Sequence, residues 1–425
     1  MRVLWLCNIM LPVIAQHLGK EVNNKEGWLS GTYERLKKSN FCMESGEKIE
    51  LGVCFPVGNE EDEIKGVIGN ISYFGFYENT AKPERYDVNL ERRLKKITES
   101  FKPDIVHCFG TEFPHTLAMT KVFPYKDKVL IGLQGLCSEC AKVYMAELPF
   151  EIQKKVTFRD ILKKDSLIQQ YKKFEMRGMN EQVALRNVKH VTGRTEWDKA
   201  CARKISSANY HFMNETLRDS FYEGQWSEEE CEAHSIFMSQ GDYPLKGLHF
   251  VLEAMSKVLE KFPDSKLYVA GNDLTRYDTL LDKIKISGYG KYLRKLIKQY
   301  NLQEKVEFLG RLKSEEIKKR YLLSNLYVCA SVLENSPNSL GEAMLLGVPA
   351  LASETGGIPS VFTKGVDGLL FEVGNSDDLA NKIIYLFSNP NKMHEYAICA
   401  RKHAQITHNQ DINYQRLLEI YQEIV

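Results

Sequence analysis

Two series of short apolar runs, separated mostly by longer amphipathic stretches, constrain this chain more than any other feature. In the first half the runs are "RVLWLC" (2–7), "IELGVCF" (49–55), "DIVHCF" (104–109), "VLIGL" (129–133) and "VKHVTG" (188–193). In the second half they are "HSIFMSQ" (234–240), "KLYVAG" (266–271), "KVEFLG" (305–310), "LYVCAS" (326–331), "VPALAS" (348–353) and "GLLFEV" (368–373). Near-continuous apolar runs of this length read as strands buried on both faces, and the helical patterns between them read as parallel crossovers. Helices are expected near 27–38, 89–101, 247–261, 290–300, 314–323, 337–346 and 376–387.

Two such series predict an α/β protein with two Rossmann-like domains facing each other across a cleft. The polar, poorly periodic stretch 206–233 places the boundary, giving domains 1–206 and 207–407. The last pattern, "INYQRLLEIYQEIV" (412–425), is a helix with no strand after it. It is expected to pack back on the first domain, so about 408–425 belong with residues 1–206.

A chain of 425 residues can bury the cores that two domains need. Its net charge of +1 creates no field that favours nucleic acid. The ten cysteines lack a regular spacing, and Cys137 and Cys140 have no second pair to complete a zinc site. They read as incidental reduced thiols. The apolar N-terminus carries Asn8 and Pro12 and lacks a cleavage signature. No run approaches the ~20 apolar residues that span a bilayer. A cytoplasmic chain is the expectation.

The segment "ENSPNSLGEAMLLGVPA" (334–350) holds Glu334 and Glu342 on either side of a helix start. Ser336 is a good N-cap, Pro337 suits the first helical position and Gly347 can end the helix. That helix follows strand 326–331, at the sheet edge where α/β folds bind ligands. Free amides near Asn338, Ser339 and Leu340 then form an anion site suited to a phosphate. An isolated pair of glutamates at this spacing is ordinarily a loop acid and a surface acid. Here the cap, the proline, the glycine and the sheet position agree on a site.

The segment "ENSPNSLGEAMLLGVPALASETGGIP" strongly resembles the E-x7-E region of glycosyltransferase family 4, retaining enzymes of the GT-B fold. The resemblance covers about 234–375 well and the first half more weakly. It implies transfer of a sugar from a nucleotide diphosphate, UDP foremost, to a hydroxyl acceptor in cell-surface polysaccharide or glycoconjugate synthesis. It implies that Glu342 accepts the ribose hydroxyls and Glu334 those of the donor sugar. "SQGDYPLKGLHFVLEAM" (239–255) supplies Lys246 for the diphosphate, with Gly247 letting the backbone approach. The family's common Arg five residues earlier is replaced by Gly241, and Arg194 is the candidate for the second cation. An interdomain or helix-capping role is the equal alternative for Arg194. Gly271, Asn272, Gly310 and Arg311 are expected to line the donor pocket, while Arg276 remains open.

On the acceptor side the resemblance implies Gly27 and Trp28 as the glycine-loop equivalents, and Gln134 in place of a histidine. His115 is the catalytic candidate, with Glu112 in reserve. A helix start at His115 would favour a neutral ring, whereas His107 reads as a core residue. No cofactor or metal is implied, and "SDD" (376–378) reads as a helix start. In 151–178 Lys and Arg outnumber acids among apolar residues. This reads equally as an ordinary helical pair or as a basic face for anionic lipid, where lipid-linked acceptors reside. The rival functions are a nucleotide-sugar epimerase of the same fold and a non-catalytic sugar-binding protein.

Overall fold

The computed structural model describes every residue except 22–26, 43–45, 47 and 61–62, and the backbone but not the side chain of Trp28. Among the described residues fourteen strands form two sheets. They are β1 (Arg2–Leu6), β2 (Glu50–Val57), β3 (Ile64–Ile68), β4 (Ile71–Tyr77), β5 (Ile105–Phe109), β6 (Val129–Gly132), β7 (His190–Gly193) and β8 (Asn209–Phe212), followed by β9 (Glu232–Met238), β10 (Lys266–Ala270), β11 (Val306–Gly310), β12 (Ser324–Cys329), β13 (Ala350–Ser353) and β14 (Leu369–Phe371). The first sheet runs β3-β4-β2-β1-β5-β6-β7-β8, and the second runs β11-β10-β9-β12-β13-β14. Every pairing is parallel except β3 with β4. The expected α/β, Rossmann-like class is borne out in both.

The chain divides into two compact units, one of residues 1–141, 173–218 and 408–425, the other of 142–172 and 219–407. The expected boundary at 206 shifts because β8 pairs with β7 through Thr192 opposite His211, which keeps 207–218 in the first unit. Residues 142–172, expected in the first domain, group instead with the second. There Ala146 O lies 2.9 Å from His249 Nε2, and Asp160 accepts the Gly288 amide at 3.0 Å.

In the first unit, strand alternation sends Val3 and Trp5 to one face of the sheet and Leu4 and Leu6 to the other. Helix Asn89–Phe101 covers the second face with Leu90, Leu94 and Phe101. The C-terminal helix Gln410–Ile424 covers the first with Tyr414, Leu417, Ile420 and Tyr421. Full burial of such side chains contributes about 1.5–3 kcal/mol each. Tyr421 also supplies the polar anchor: its hydroxyl accepts from Trp5 Nε1 at 2.9 Å and lies 2.8 Å from His107 Nδ1. Burial pushes His107 down to about 3, so the ring stays neutral beside this hydroxyl. His107 is thus a core residue, as its place within a strand suggests.

The elements outside the expected ranges include, among the described residues, the β3–β4 hairpin, the short β8, and helices Pro12–His17, Glu196–Ile205, Leu280–Lys285 and Pro390–Thr407. Helix Asn338–Leu346 starts one residue later than expected, with Pro337 rather than Ser336 at the N-cap. Gly347 ends it in the left-handed conformation, at φ +71°. "SDD" does open helix Ser376–Ser388, capped by Asn375 accepting from the Asp378 amide. Among the described residues no helix is long and apolar enough to cross a membrane.

Candidate functional site

The second sheet reverses its winding between β9 and β12, which pair with each other at its centre. The loops leaving the carboxyl ends of two such strands diverge and open a crevice. Lys246 follows β9 and Glu334 follows β12, so topology alone brings both to this edge.

Local chemistry joins the two loops. Val332 N–H donates to Leu245 O at 2.7 Å. Gly247 sits at φ +70°, where a Cβ would lie 1.9 Å from Ala330 O, so only glycine allows this approach. The result is an ion pair between Lys246 Nζ and Glu334 Oε1, whose side chains are 20% and 17% exposed. Burial opposes the ammonium charge. The Glu334 carboxylate outweighs it and holds the Lys246 pKa well above its ordinary value. Ser331 Oγ donates to the same carboxylate oxygen at 2.8 Å. The Glu334 carbonyl accepts from Gly357 N at 2.9 Å, and a Cβ on Gly356 would lie 2.0 Å from that carbonyl oxygen. The glycine pair after β13 therefore fits closely around the backbone of Glu334.

Helix Asn338–Leu346 begins beside this pair. Tyr327 donates to Ser339 Oγ at 2.8 Å, and Tyr321 donates to Ser339 O at 2.8 Å, so two buried tyrosines pin the first turn. Leu340 N–H already donates to Pro337 O at 2.9 Å, which removes it from the expected anion site. The amides of Asn338 and Ser339 precede the first helical hydrogen bond and remain the donors of the helix start. Asn338 Oδ1 is a buried oxygen with no hydrogen-bond partner among the described residues. Glu342 lies one turn into the helix and is buried, at 6% exposed.

Gly271 and Gly310 follow β10 and β11 and bond through Gly271 N and Gly310 O at 2.8 Å, both with positive φ. Arg311 Nε donates to Asn272 Oδ1 at 3.1 Å, and Asn272 Nδ2 donates to Asp242 Oδ2 at 3.2 Å. This chain joins the loops after β9, β10 and β11. A Cβ on Gly241 would lie 2.7 Å from Val269 Cγ1 and 2.9 Å from Leu248 Cδ2, so the position has no room for an arginine. Arg276 is exposed.

Arg194, the candidate second cation, is otherwise engaged. It is buried in the first unit, ion-paired with Glu215, and donates to Gln134 Oε1 at 3.1 Å. Gln134 Nε2 donates to Glu215 at 2.8 Å, closing a three-residue network. His115 is buried, with Nδ1 2.6 Å from Glu78 Oε2 and Nε2 3.0 Å from Asn8 Oδ1. Both ring nitrogens have partners, so neither is open to a sugar hydroxyl. Glu112 accepts the Gly135 amide at 3.0 Å through Oε1, while Oε2 is buried without a partner among the described residues. A Cβ on Gly110, at φ +96°, would lie 2.1 Å from that oxygen, so glycine is what lets the carboxylate approach the backbone. Gly27 opens helix Gly27–Lys38 against the Arg218 side chain, and the Trp28 side chain lies outside the described residues.

Neither Cys137 nor Cys140 is in a disulfide, and burial pushes Cys137 well up. Among the described residues no group of three or more His, Cys, Asp or Glu is placed to hold a metal ion. Sequence reasoning missed Ser331, Tyr321, Tyr327, Asp242 and Asn8. The "TGG" of 355–357 lay inside the quoted motif, and its glycines are the one local signal that the Glu334 backbone is approached closely.

Residues 225–403 match the family model described as "Glycosyl transferases group 1". A putative glycosyltransferase, YtcC, of Bacillus subtilis is 26% identical over 43% of this chain and 43% of its own length. The N-acetyl-alpha-D-glucosaminyl L-malate synthase of Bacillus anthracis is 30% identical over 34% of each chain. The amylovoran biosynthesis glycosyltransferase AmsK of Erwinia amylovora is 30% identical over 33% of this chain and 36% of its own. The matches thus span less than half the length of these relatives. Among solved structures, sucrose-phosphate synthase from Thermosynechococcus elongatus superposes with a TM-score of 0.73 at 15% identity, covering 100% of this chain and 98% of that one. The Anabaena protein HepE, solved with UDP and glucose, gives a TM-score of 0.64 at 15% identity over the whole of both chains. These likenesses establish the fold, two Rossmann-like units of the GT-B class.

Proposed function

We propose that this chain is a retaining glycosyltransferase of family 4 that moves a sugar from a nucleotide diphosphate, UDP foremost, to a hydroxyl acceptor. The observation that carries the reading is the Lys246–Glu334 pair at the β9/β12 edge, beside the amino end of helix Asn338–Leu346. A cation, the first two amides of a helix, a loop carboxylate and a second carboxylate one turn into that helix match a ligand with phosphates at one end and hydroxyls at the other. HepE, a neighbour in fold, was solved with UDP and glucose, which supports the donor class.

In this reading the bond between the anomeric carbon and the β-phosphate oxygen breaks, and its electron pair stays on the phosphate. Lys246 and the amides of Asn338 and Ser339 stabilise that charge, the preorganised electrostatics that supplies much of an enzymatic rate. Glu334 orients the sugar through its hydroxyls and Glu342 holds the ribose. Gly247, Gly271, Asn272, Gly310 and Arg311 line the donor site. The acceptor hydroxyl adds to the anomeric carbon on the face the phosphate leaves, and its proton passes to a phosphate oxygen. Lys246 is the side-chain cation assigned to the phosphates, and Arg194 is held by Glu215 in the first unit. His115, Glu112, Gln134, Gly27 and Trp28 are proposed on the acceptor side, where His115 acts as a neighbour of Glu78 and Asn8. The acceptor class proposed is a carbohydrate or lipid-linked glycan of a surface polysaccharide, and no metal or cofactor is assigned a role.

The test is a transfer assay with UDP-hexoses and a lipid-linked glycan, reading UDP release and the anomeric configuration of the product. An α-configured product from an α-configured donor is expected. Conversion of the nucleotide sugar without acceptor would instead identify an epimerase, and tight binding without any UDP release a binding protein.

A further inference from the structure

Two short helices of the second unit carry an apolar surface that the transfer chemistry does not use. Phe158, Ile161 and Leu162 lie on helix Phe158–Lys163, and Leu280, Leu281 and Ile284 on helix Leu280–Lys285. The helices pack beside each other. All six side chains are exposed, from 48% for Ile284 to 78% for Leu280. On each helix the residues fall at positions that share one face. Isolated exposed apolar residues are ordinary, but six on two adjacent helices make a patch.

The mount beneath them is firm. Thr157 and Asp160 form a capping box at the start of the first helix, and Thr279 and Asp282 do the same for the second. Asp160, almost wholly buried, also accepts the Gly288 amide at 3.0 Å. One carboxylate therefore caps its own helix and ties it to the amino end of helix Gly288–Gln299. The polar groups of these turns are satisfied internally, and the apolar side chains are left facing outward by design of the caps rather than by fraying.

The charge around the patch selects its occupant. Residues 150–164 and 276–285 together carry eight Lys or Arg against four acids, and one of those acids is the buried Asp160. Lys154, Lys155, Lys163, Lys164, Lys283 and Lys285 are all exposed. A second copy of the chain meeting this face isologously would set one excess of positive charge against another, which disfavours it. Apolar side chains ringed by lysines suit the boundary between headgroups and acyl chains of an anionic membrane. We propose that this paired-helix surface seats the second unit on an anionic lipid bilayer, with the six apolar side chains inserted and the lysines on lipid phosphates. The inference stands apart from the donor-site reading.

The experiment is co-sedimentation of the full chain with vesicles of phosphatidylcholine alone and with about one-third phosphatidylglycerol, alongside sedimentation velocity without lipid. Binding to the anionic vesicles is expected, weakening as salt is raised. The double variant Leu162→Ser with Leu281→Ser should lower the partition coefficient about 100-fold, since each inserted leucine is worth roughly tenfold or more. A second variant, Lys163→Glu with Lys164→Glu, should lower it on anionic vesicles alone. Thermal melting of each variant should match the wild type, because these side chains are exposed. The proposal is overturned by no binding to anionic vesicles, by binding that neither variant reduces, or by a dimer in solution that Leu162→Ser and Leu281→Ser dissolve.

Discussion

Replacing Glu334 by Gln separates two roles that the Lys246–Glu334 pair combines. Gln keeps the shape and the acceptor for Ser331 Oγ, which lies 2.8 Å from Oε1, but removes the charge. The ammonium then loses the counter-charge that outweighs its burial. Removing one partner of a fully buried pair costs about 3–5 kcal/mol. With both side chains near one-fifth exposed, solvent screening brings this to about 1–3 kcal/mol. At about 2–4 °C per kcal/mol for a unit of this size, the unliganded melting temperature should fall by roughly 2–12 °C. A diphosphate arriving at Lys246 no longer competes with a carboxylate. One negative charge removed about 6 Å from a phosphate, at an effective dielectric of roughly 20–40, is worth about 1.4–2.8 kcal/mol. UDP should therefore bind about 10- to 100-fold more tightly to Glu334→Gln by isothermal titration calorimetry, and its thermal shift should grow. Transfer should nonetheless fall roughly 10- to 100-fold, because a charged hydrogen bond to the donor sugar, about 1.5–3 kcal/mol, is lost. UDP affinity that falls together with turnover would refute the reasoning, since Glu334 would then be supporting the diphosphate rather than competing with it.

Three further outcomes follow from the same geometry. Gly356→Ala places a methyl 2.0 Å from the Glu334 carbonyl at φ +52°, so it should lower stability by about 1–3 kcal/mol and displace Glu334; unchanged urea midpoint and turnover would contradict this. Tyr421→Phe strips the Trp5 indole and His107 of a shared buried partner and should cost about 1–3 kcal/mol by urea unfolding, where a loss under about 0.3 kcal/mol would remove the C-terminal helix from the polar core. His107 and His249 are pushed down by burial to about 3 and about 4, from an ordinary 6.5. Folded, they stay neutral while the unfolded chain takes up protons, so stability is full above pH 6.5 and falls as pH drops towards those values. The loss is about 1.4 kcal/mol per pH unit for each histidine. Urea midpoints between pH 7 and 5 should show the slope, and His249→Gln should reduce it by one proton.

The fold was legible where burial on both faces writes itself as an apolar run, as in "VLWL" of β1 or "LYVC" of β12. It was less legible at sheet edges. β3 alternates half-buried and exposed residues, and β8 has one buried residue in four, so neither reads as a run. The β3–β4 hairpin did carry a signal: Gly69 and Asn70 form a two-residue connection between Ile68 and Ile71, with Gly69 at φ +55°. The grouping of 142–172 with the second unit depends on tertiary bonds such as Asp160 to Gly288, which no local pattern encodes. At the candidate site, the closing Gly347 was readable from cap chemistry, while the helix start was readable only to within one residue, since Pro337 and not Ser336 stands at the N-cap. The approach of Lys246 to Glu334 rests on the Val332–Leu245 bond and on Gly247, long-range consequences of two loops leaving paired strands. The ion pair of Arg194 had no local signal, because its partner Glu215 lies 21 residues away in a stretch without periodicity. Gly241 is the converse case, where crowding by Val269 and Leu248 explains why no arginine stands there.

The central claim is that the β9/β12 edge binds a nucleoside diphosphate through the start of helix Asn338–Leu346, with Glu342 on the ribose. Titrating UDP, GDP and ADP into the wild-type chain and into Glu342→Ala tests it most directly. The account predicts binding of one diphosphate, UDP foremost, and at least a tenfold loss in the variant, the weight of one charged hydrogen bond to the ribose. Absence of binding by all three, or equal binding by the variant, would contradict it.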